Sequence, residues 1–365
     1  MTTTDPMVGS TPDLDRRLLE VKDLRTHFRT PRGLVKAVDG VSFTLDRGKT
    51  LGLVGESGSG KSVLSRSVMQ LFPKRNVHTE GEVLFEGRNL ADLSPRQMRE
   101  FWGVEMSMVF QDPMTSLNPV MSIGKQLTEG LRKHLGLSRD EADRTALELL
   151  KSVQIPEPEQ RLDEYRHQLS GGMRQRVTIA MALACGPKLL FADEATTALD
   201  VTVQAQILNL LQDLQEQRDM AMILVTHDLG VVAGRTHDIA VMYAGKIVEK
   251  APTKTLFRNM KMPYTEALLR SIPKIENPSH TRLQAIGGRP PDLISPPTGC
   301  NFSPRCPYAQ DKCHNEEPPL VAAADSDHVY ACWFPVGSPE NEQALEINLS
   351  KGLPQTKAVF ASADS

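Results

Sequence analysis

Gly55-Glu56-Ser57-Gly58-Ser59-Gly60-Lys61-Ser62 follows the apolar run Thr50-Leu51-Gly52-Leu53-Val54 and precedes a helical run at 62–71. Strand, glycine-rich loop and helix in this order match the G-x-x-x-x-G-K-[ST] phosphate-binding pattern. Glycines let the backbone wrap closely around phosphates, while successive N–H groups and the helix start supply donors and positive potential. Lys61 is placed to reach the β- and γ-phosphates, and the Ser62 hydroxyl to bind Mg²⁺. With strand and helix both in place, nucleotide binding is favoured over a Gly/Ser turn that only caps a helix. Gly55, Ser57, Gly58, Ser59, Gly60, Lys61 and Ser62 are therefore the candidate nucleotide contacts.

Outward from this loop, short β-prone runs at 82–85, 105–110, 189–192, 221–226 and 238–242 alternate with longer helical patterns. The alternation predicts an α/β fold with a parallel sheet core. Val203, Ile207, Leu210, Leu211 and Leu214 keep helical spacing after Asp200. Residues 120–168 read as polar, helical and strand-free, with 141–153 the clearest helix, which predicts an inserted helical subdomain. Beyond Pro252 the sheet pattern stops. The predicted organisation is a disordered tail at 1–17, a core domain at 18–272, a Pro/Gly-rich connection at 273–297, a four-cysteine domain at 298–335 and a weakly patterned tail at 336–365. No internal repeat is visible, so one chain carries one nucleotide site.

The 365 residues include 42 Lys+Arg against 45 Asp+Glu, a net charge of −3, and 40% hydrophobic residues. A near-neutral balance gives no electrostatic argument for a nucleic-acid partner. No run approaches the roughly 18–20 apolar residues that span a bilayer, and residues 1–15 hold no apolar signal segment. The expectation is a soluble, intracellular chain that meets a membrane only through another protein.

A second apolar run, Leu189-Leu190-Phe191-Ala192, ends in Asp193-Glu194. Acids at the C-terminal end of a buried parallel strand lie where ligands bind such sheets. Asp193 suits the Mg²⁺ shell, and Glu194 suits orienting and deprotonating an attacking water. Gln111 and His227 each follow a strand of the same predicted sheet. Gln111 can touch both metal and water, and His227 can hydrogen-bond a γ-phosphate and hold Glu194. Leu169-Ser170-Gly171-Gly172-Met173-Arg174-Gln175 opens another helix, with Ser170 a natural N-cap and accessible N–H groups behind it. One nucleotide needs only one phosphate loop, so this second anion site is explained if it closes over the nucleotide of a partner subunit.

The phosphate loop, Gln111, 169–175, 190–200 and His227, in this order, resemble the ATP-binding subunit of ABC transporters over about 18–277. The resemblance implies an ABC-type P-loop core with an antiparallel β subdomain. It also implies a head-to-tail dimer in which each ATP is shared between one phosphate loop and the partner's Ser170, Gly171, Gly172 and Gln175. Ala198-Leu199-Asp200 resembles the family's D-loop, and Phe28 is implied as the aromatic on adenine. Ala195 departs from the family, which usually has Pro after the catalytic Glu.

Phe110–119, 170–181 and 195–206 are closer still to the dipeptide/oligopeptide importer branch, and Met173-Arg174-Gln175 resembles the D-type ATPase subunit. The resemblance implies an F-type ATPase partner, with a homodimer as the alternative. It further implies two membrane permeases, an extracytoplasmic binding protein and a place on the cytoplasmic face of the inner membrane. The same branch also includes carriers of nickel, opines and sugars. A soluble ABC ATPase is the rival reading; it calls for a second ATP site, a long coiled coil or a basic face, none of which the sequence displays.

Of five cysteines, Cys300, Cys306, Cys313 and Cys332 cluster with the spacing C-x5-C-x6-C-x18-C. Four thiolates suit a tetrahedral Zn²⁺ or a [4Fe–4S] cluster. The branch's C-terminal segment resembles 299–307 and Cys332-Trp333, and that resemblance implies [4Fe–4S] ahead of Zn²⁺. Cys185 reads as a core residue, and His314 and His328 as surface groups or groups flanking the ligands.

Overall fold

A computed structural model describes residues 16–73, 75–196, 200–272, 286–324 and 327–356. The chain begins with two long strands, β1 (Arg17–Thr30) and β2 (Gly33–Asp46), paired antiparallel. Period-2 burial of Leu19 and Val21 shifts to Leu24 and Thr26 across a register break at Asp23, whose φ is 45°. The bulge keeps one face of the strand on the core despite the extra residue. β4 (Val77–Phe85) and β5 (Arg88–Asn89) complete a four-stranded antiparallel sheet in the order β2-β1-β4-β5.

The second sheet runs β11-β12-β10-β9-β3-β8-β7-β6. Four of its strands, β3 (Thr50–Val54), β6 (Met106–Val109) at the edge, β7 (Leu189–Asp193) and β8 (Ala221–Thr226), are buried at every position. Strands covered on both faces read as continuous apolar runs, and these are parallel to one another, as is β9 (Asp238–Tyr243) to β3. Their C-terminal ends share one edge, which delivers residues 55–60, Gln111, Glu194 and His227 to the same place.

Between β6 and β7 the described chain forms helices, including Ile123–Leu135, Arg139–Ser152 and Gly171–Leu183. Ser138 and Glu141 start the second of these with a reciprocal capping box. Its buried Ala142 and Ala146 belong to one apolar cluster with Ile123, Leu127 and Val177. The predicted helix at 141–153 lies within one residue of the end of Arg139–Ser152, and begins two residues late because the cap precedes the apolar pattern.

Two expectations need correction. The sheet does not stop at Pro252. β10 (Lys246–Pro252) pairs with β12 (Val329–Tyr330), and β12 with β11 (Val321–Ala322). Strands of two residues carry too little pattern to be read from sequence. The weakly patterned tail also holds a helix within 336–356: Ser338 caps the helix Pro339–Ser350, and Asn348 donates to the carbonyls of Pro307 and Ala309 at 2.9 Å. The predicted tail at 1–17 lies outside the described residues except for Arg16 and Arg17, as do 273–285 of the predicted connection and 197–199. Among the described residues no helix is long and apolar enough to cross a membrane.

His328 is fully buried, with its Nε2 2.8 Å from Glu249 Oε1 on β10, so it is not a surface group. The backbone N–H groups of Lys261 and Met262 donate to the same carboxylate at 2.5 and 3.2 Å. Glu249 thus joins β10, the turn before the helix Pro263–Arg270 and the segment entering β12. Glu249→Ala strands these buried partners, each at about 1–3 kcal/mol. Denaturant unfolding of the variant is expected to show a loss of about 3 kcal/mol or more; a loss below about 1 kcal/mol would mean the carboxylate does not organise this junction.

Candidate active site

The phosphate loop turns sharply out of β3 and into the helix Lys61–Val68, with Gly58 at φ 81° and Gly60 at φ 104°. Glycine is required at two positions for lack of space as well. A Cβ on Gly55 would sit 2.1 Å from the Met242 carbonyl oxygen, and one on Gly60 2.2 Å from that of Ala37. The loop is therefore pressed between β9 and β2. Lys61 folds back over it, its Nζ donating to the carbonyls of Gly55 at 2.7 Å and Glu56 at 3.1 Å. Ser59 is buried and its Oγ has no partner, while its carbonyl accepts from Gly245 N at 2.9 Å.

The acids stand directly opposite. Ser62 Oγ donates to Asp193 Oδ1 at 2.8 Å, while Asp193 Oδ2 is buried without a partner. Glu194 Oε1 lies 3.8 Å from Lys61 Nζ and 3.7 Å from His227 Nδ1, and its Oε2 accepts from Gln111 Nε2 at 2.9 Å. Glu194 has φ 46°, an unusual value for a glutamate, and its N–H donates to Val225 O at 3.0 Å. The structure thus brings Lys61, Ser62, Gln111, Asp193, Glu194 and His227 to one sheet edge. Ala195 follows as a buried residue.

Burial lowers the Lys61 pKa, opposed by the charges of Glu194, Asp193 and Glu56. Burial raises that of Asp193, opposed first by its bond from Ser62. A carboxylate oxygen left unsatisfied beside a serine hydroxyl fits a hard divalent cation, and Mg²⁺ takes one or two carboxylates together with phosphate oxygens. Ser62 and Asp193 therefore fit the metal that ATP chemistry needs.

Other candidates are held elsewhere on the molecule. Ser170 is exposed and caps the helix Gly171–Leu183 by accepting from Met173 N at 3.3 Å. A Cβ on Gly172 would come 3.0 Å from Val203, and Gln175 is buried with its Nε2 unpartnered. Asp200 caps the helix Val201–Gln217 through Val203 N at 3.0 Å. Phe28 lies edge-on to Phe72 with centroids 5.2 Å apart. The remainder of the expected D-loop, Ala198 and Leu199, lies outside the described residues.

Cys300, Cys306, Cys313 and Cys332 line one cavity, together with apolar residues such as Phe302 and Trp333. Burial pushes the Cys300 thiol up to about 11 and that of Cys332 to about 12. Neighbouring sulfurs add to both shifts. Among the described residues no group of three or more His, Cys, Asp or Glu stands at metal-holding spacing. Neutral thiols tolerate that spacing; thiolates sharing an apolar cavity would need a cation between them. Cys185 is half-buried, and burial raises its thiol as well.

Sequence reasoning missed the residues that buttress the loop. Tyr264 Oη accepts from Glu56 N at 2.8 Å, and Arg305 pairs with the Glu56 carboxylate at 2.6 Å. Arg305, between Pro304 and Cys306, lies inside the stretch 299–307 that was read only for its cysteines. Lys61→Met keeps the volume of the side chain and removes its charge. It is expected to weaken Mg-ATP binding about tenfold to a hundredfold with little loss of thermal stability, since a buried ammonium costs desolvation. Titration with a fluorescent nucleotide checks the affinity, and wild-type affinity would contradict the assignment of Lys61.

The ABC transporter family matches residues 38–197, and the oligopeptide/dipeptide transporter C-terminal region matches residues 248–313. The oligopeptide transport ATP-binding protein OppD of Bacillus subtilis (strain 168) is 51% identical over 338 residues, 92% of this chain and 94% of that protein. The dipeptide transport ATP-binding protein DppD of Lactococcus lactis subsp. cremoris (strain MG1363) is 51% identical over 321 residues, 88% of this chain and 91% of that protein. A dimeric ATP-binding cassette solved in a post-hydrolysis state with ADP and Pi superposes with a TM-score of 0.58 at 27% identity, over 65% of this chain and 99% of that one. The convergence of lysine, serine and acids at the sheet edge and this similarity along nearly the whole length have one explanation: the chain is an ABC-type ATPase and belongs to the ATP-binding subunits of the oligopeptide/dipeptide ABC transporter family.

Proposed function

We propose that this chain, peripheral on the cytoplasmic face of the cell (inner) membrane, is the ATP-hydrolysing subunit of an importer that takes up di- and oligopeptides. The observation that carries the reading is the 51% identity to an oligopeptide transport ATP-binding protein across 92% of the chain, the C-terminal region included. The core domain then spans 18–272, with a helical subdomain at 120–168 and a four-cysteine domain at 298–335 behind a connection at 273–297. Helices Ile123–Leu135 and Arg139–Ser152, joined by three residues and sharing one apolar cluster, support the subdomain.

Two such ATPase subunits close head to tail over two ATP molecules, this D-type chain with an F-type partner. Exposure of the Ser170 corner, with its hydroxyl serving only a helix cap, supports its use by the partner's nucleotide. The loop N–H groups and Lys61 bind the phosphates and Phe28 stacks on adenine; Ser62, Asp193 and Gln111 would hold Mg²⁺, which would offset charge on the phosphate oxygens. Glu194 orients a water in line with the γ-phosphorus and accepts its proton as the new P–O bond forms and the bond to ADP breaks. His227 and Gln111, both beside the Glu194 carboxylate, keep it aimed and sense whether a γ-phosphate is present. Hydrolysis removes the anionic bridge between subunits, and the resulting opening drives two permeases between their inward- and outward-facing states. An extracytoplasmic binding protein supplies the peptide.

Cys300, Cys306, Cys313 and Cys332 would hold a [4Fe–4S] cluster, with Zn²⁺ as the alternative for the same donors. Their common cavity supports a four-sulfur donor set, and the cluster would fasten a segment that has little core of its own. Anaerobic purification followed by iron, sulfide and zinc assays separates the two.

The functional test is uptake by the complex reconstituted in lipid vesicles with its permeases and a peptide-loaded binding protein. ATP-dependent peptide accumulation is expected, and accumulation of nickel, opines or sugars instead would overturn the peptide assignment. Glu194→Gln is expected to lower kcat about 10²–10⁴-fold, keep ATP affinity and trap a nucleotide-bound dimer. Hydrolysis at the normal rate would show that another group takes the proton.

A further inference from the structure

The phosphate loop contains an acid whose charge opposes its ligand. Glu56, its second residue, would stand as an uncompensated anion in a loop that binds polyphosphate. Arg305 meets it with a two-point fork, Nη1 to Oε2 at 2.6 Å and Nη2 to Oε1 at 2.9 Å. The other donors of the guanidinium are also used: Nη1 to Tyr243 Oη at 3.2 Å, Nη2 to Ile286 O at 3.2 Å and Nε to Gly287 O at 2.8 Å. The Arg305 side chain is 3% exposed. Every N–H it owns has a partner, which is how a buried cation is held in one pose.

Residue 56 is fastened on its other sides too. Its N–H donates to Tyr264 Oη at 2.8 Å, and its carbonyl accepts from Lys61 Nζ at 3.1 Å. Tyr264, Tyr243 and Phe302 pack together with centroids 4.5–5.4 Å apart, and Arg305 lies over Tyr243 and Phe302. Phe302 and Arg305 both belong to the turn that runs from Cys300 to Cys306, closed by Ser303 N on Cys300 O and Arg305 N on Phe302 O at 2.9 Å each. The pose of Glu56 and the countercharge beside its carboxylate therefore come from a segment about 250 residues downstream.

We propose that Arg305 is a positioning residue for nucleotide binding, through which the cysteine-bearing C-terminal segment sets the affinity of the phosphate loop for ATP. The inference rests on the reading of residues 55–62 as the ATP site and adds a regulator to it. With Arg305 in place Glu56 is neutralised and the start of the loop is pinned. Without it, an acid and a mobile main chain both face the phosphates. Any state of the segment that moves the Cys300–Cys306 turn acts on ATP through this pair, and bound ATP steadies the turn in return.

The test compares the purified full-length wild type with Arg305→Ala, Arg305→Lys, Glu56→Gln and the double variant Arg305→Ala/Glu56→Gln. Mg-ATP affinity is measured by titration, KM and kcat in the reconstituted complex, and thermal midpoints without nucleotide. Arg305→Ala is expected to raise Kd and KM about tenfold with kcat within about twofold, and Arg305→Lys to fall between it and wild type. Removing the acid as well is expected to return Kd to within about threefold of wild type, although the pair is gone and the midpoint stays low. That rescue separates charge at the loop from a structural staple, which would lower the midpoint and leave Kd unmoved. Should Arg305→Ala fail to fold, Glu56→Gln alone carries the test: it keeps the cation and is expected to bind ATP no more weakly than wild type. Unchanged Kd in Arg305→Ala, no rescue by the double variant, or weaker binding by Glu56→Gln each overturns the proposal. Absence of Mg-ATP binding by the wild type would instead overturn the ATP-site reading itself.

Discussion

Backbone pressed against backbone shapes the loop on which the rest of the molecule depends. Gly55 and Gly60 leave no room for a Cβ against the carbonyls of Met242 and Ala37, so β3, β9 and β2 meet at one glycine-rich turn. Over this turn Lys61 folds back onto the Gly55 and Glu56 carbonyls. A side chain at Gly60 would push the loop off β2 of the other sheet, and one at Gly55 would push it off β9, before either reached any nucleotide. The loop is consequently a joint between sheets as well as a cradle for anions.

From this joint the chemistry is arranged by strand ends. Parallel strands buried on both faces deliver their following residues to one edge, and Ser62, Gln111, Asp193, Glu194 and His227 meet there although up to 165 positions separate Ser62 from His227. Buried charge here is mutual: burial lowers the Lys61 pKa, and the carboxylates of Glu194, Asp193 and Glu56 oppose that shift. The unpaired Asp193 oxygen and the backbone strain at Glu194 remain, and both lie where ligand and reaction would use them.

The C-terminal region is built into the same framework. β12 extends the sheet along β10, His328 reaches Glu249, and Arg305 reaches Glu56. His328 and Glu249 are fully buried and the Arg305 side chain nearly so, and for such groups a lost partner costs most. Integrity of the cysteine-bearing segment and geometry of the nucleotide loop are thus parts of one mechanical unit, rather than an enzyme with a separate attachment.

What the sequence determined by itself was whatever short-range physics encodes. A strand-glycine-lysine-helix order specifies a phosphate loop, continuous apolar runs specify buried parallel strands, and a serine before glycines specifies a helix start; each appears where it was read. Asp193 and Glu194 were legible because the apolar run of β7 ends on them. Only the tertiary structure decided that Glu249 and His328 form a buried pair, that two-residue strands prolong the sheet, that the helix Pro339–Ser350 packs back on Pro307 and Ala309, and that Arg305 guards Glu56. None of these leaves a periodic trace, because a hydrogen bond between residues some 250 apart is set by how layers stack and not by the neighbours of either residue along the chain.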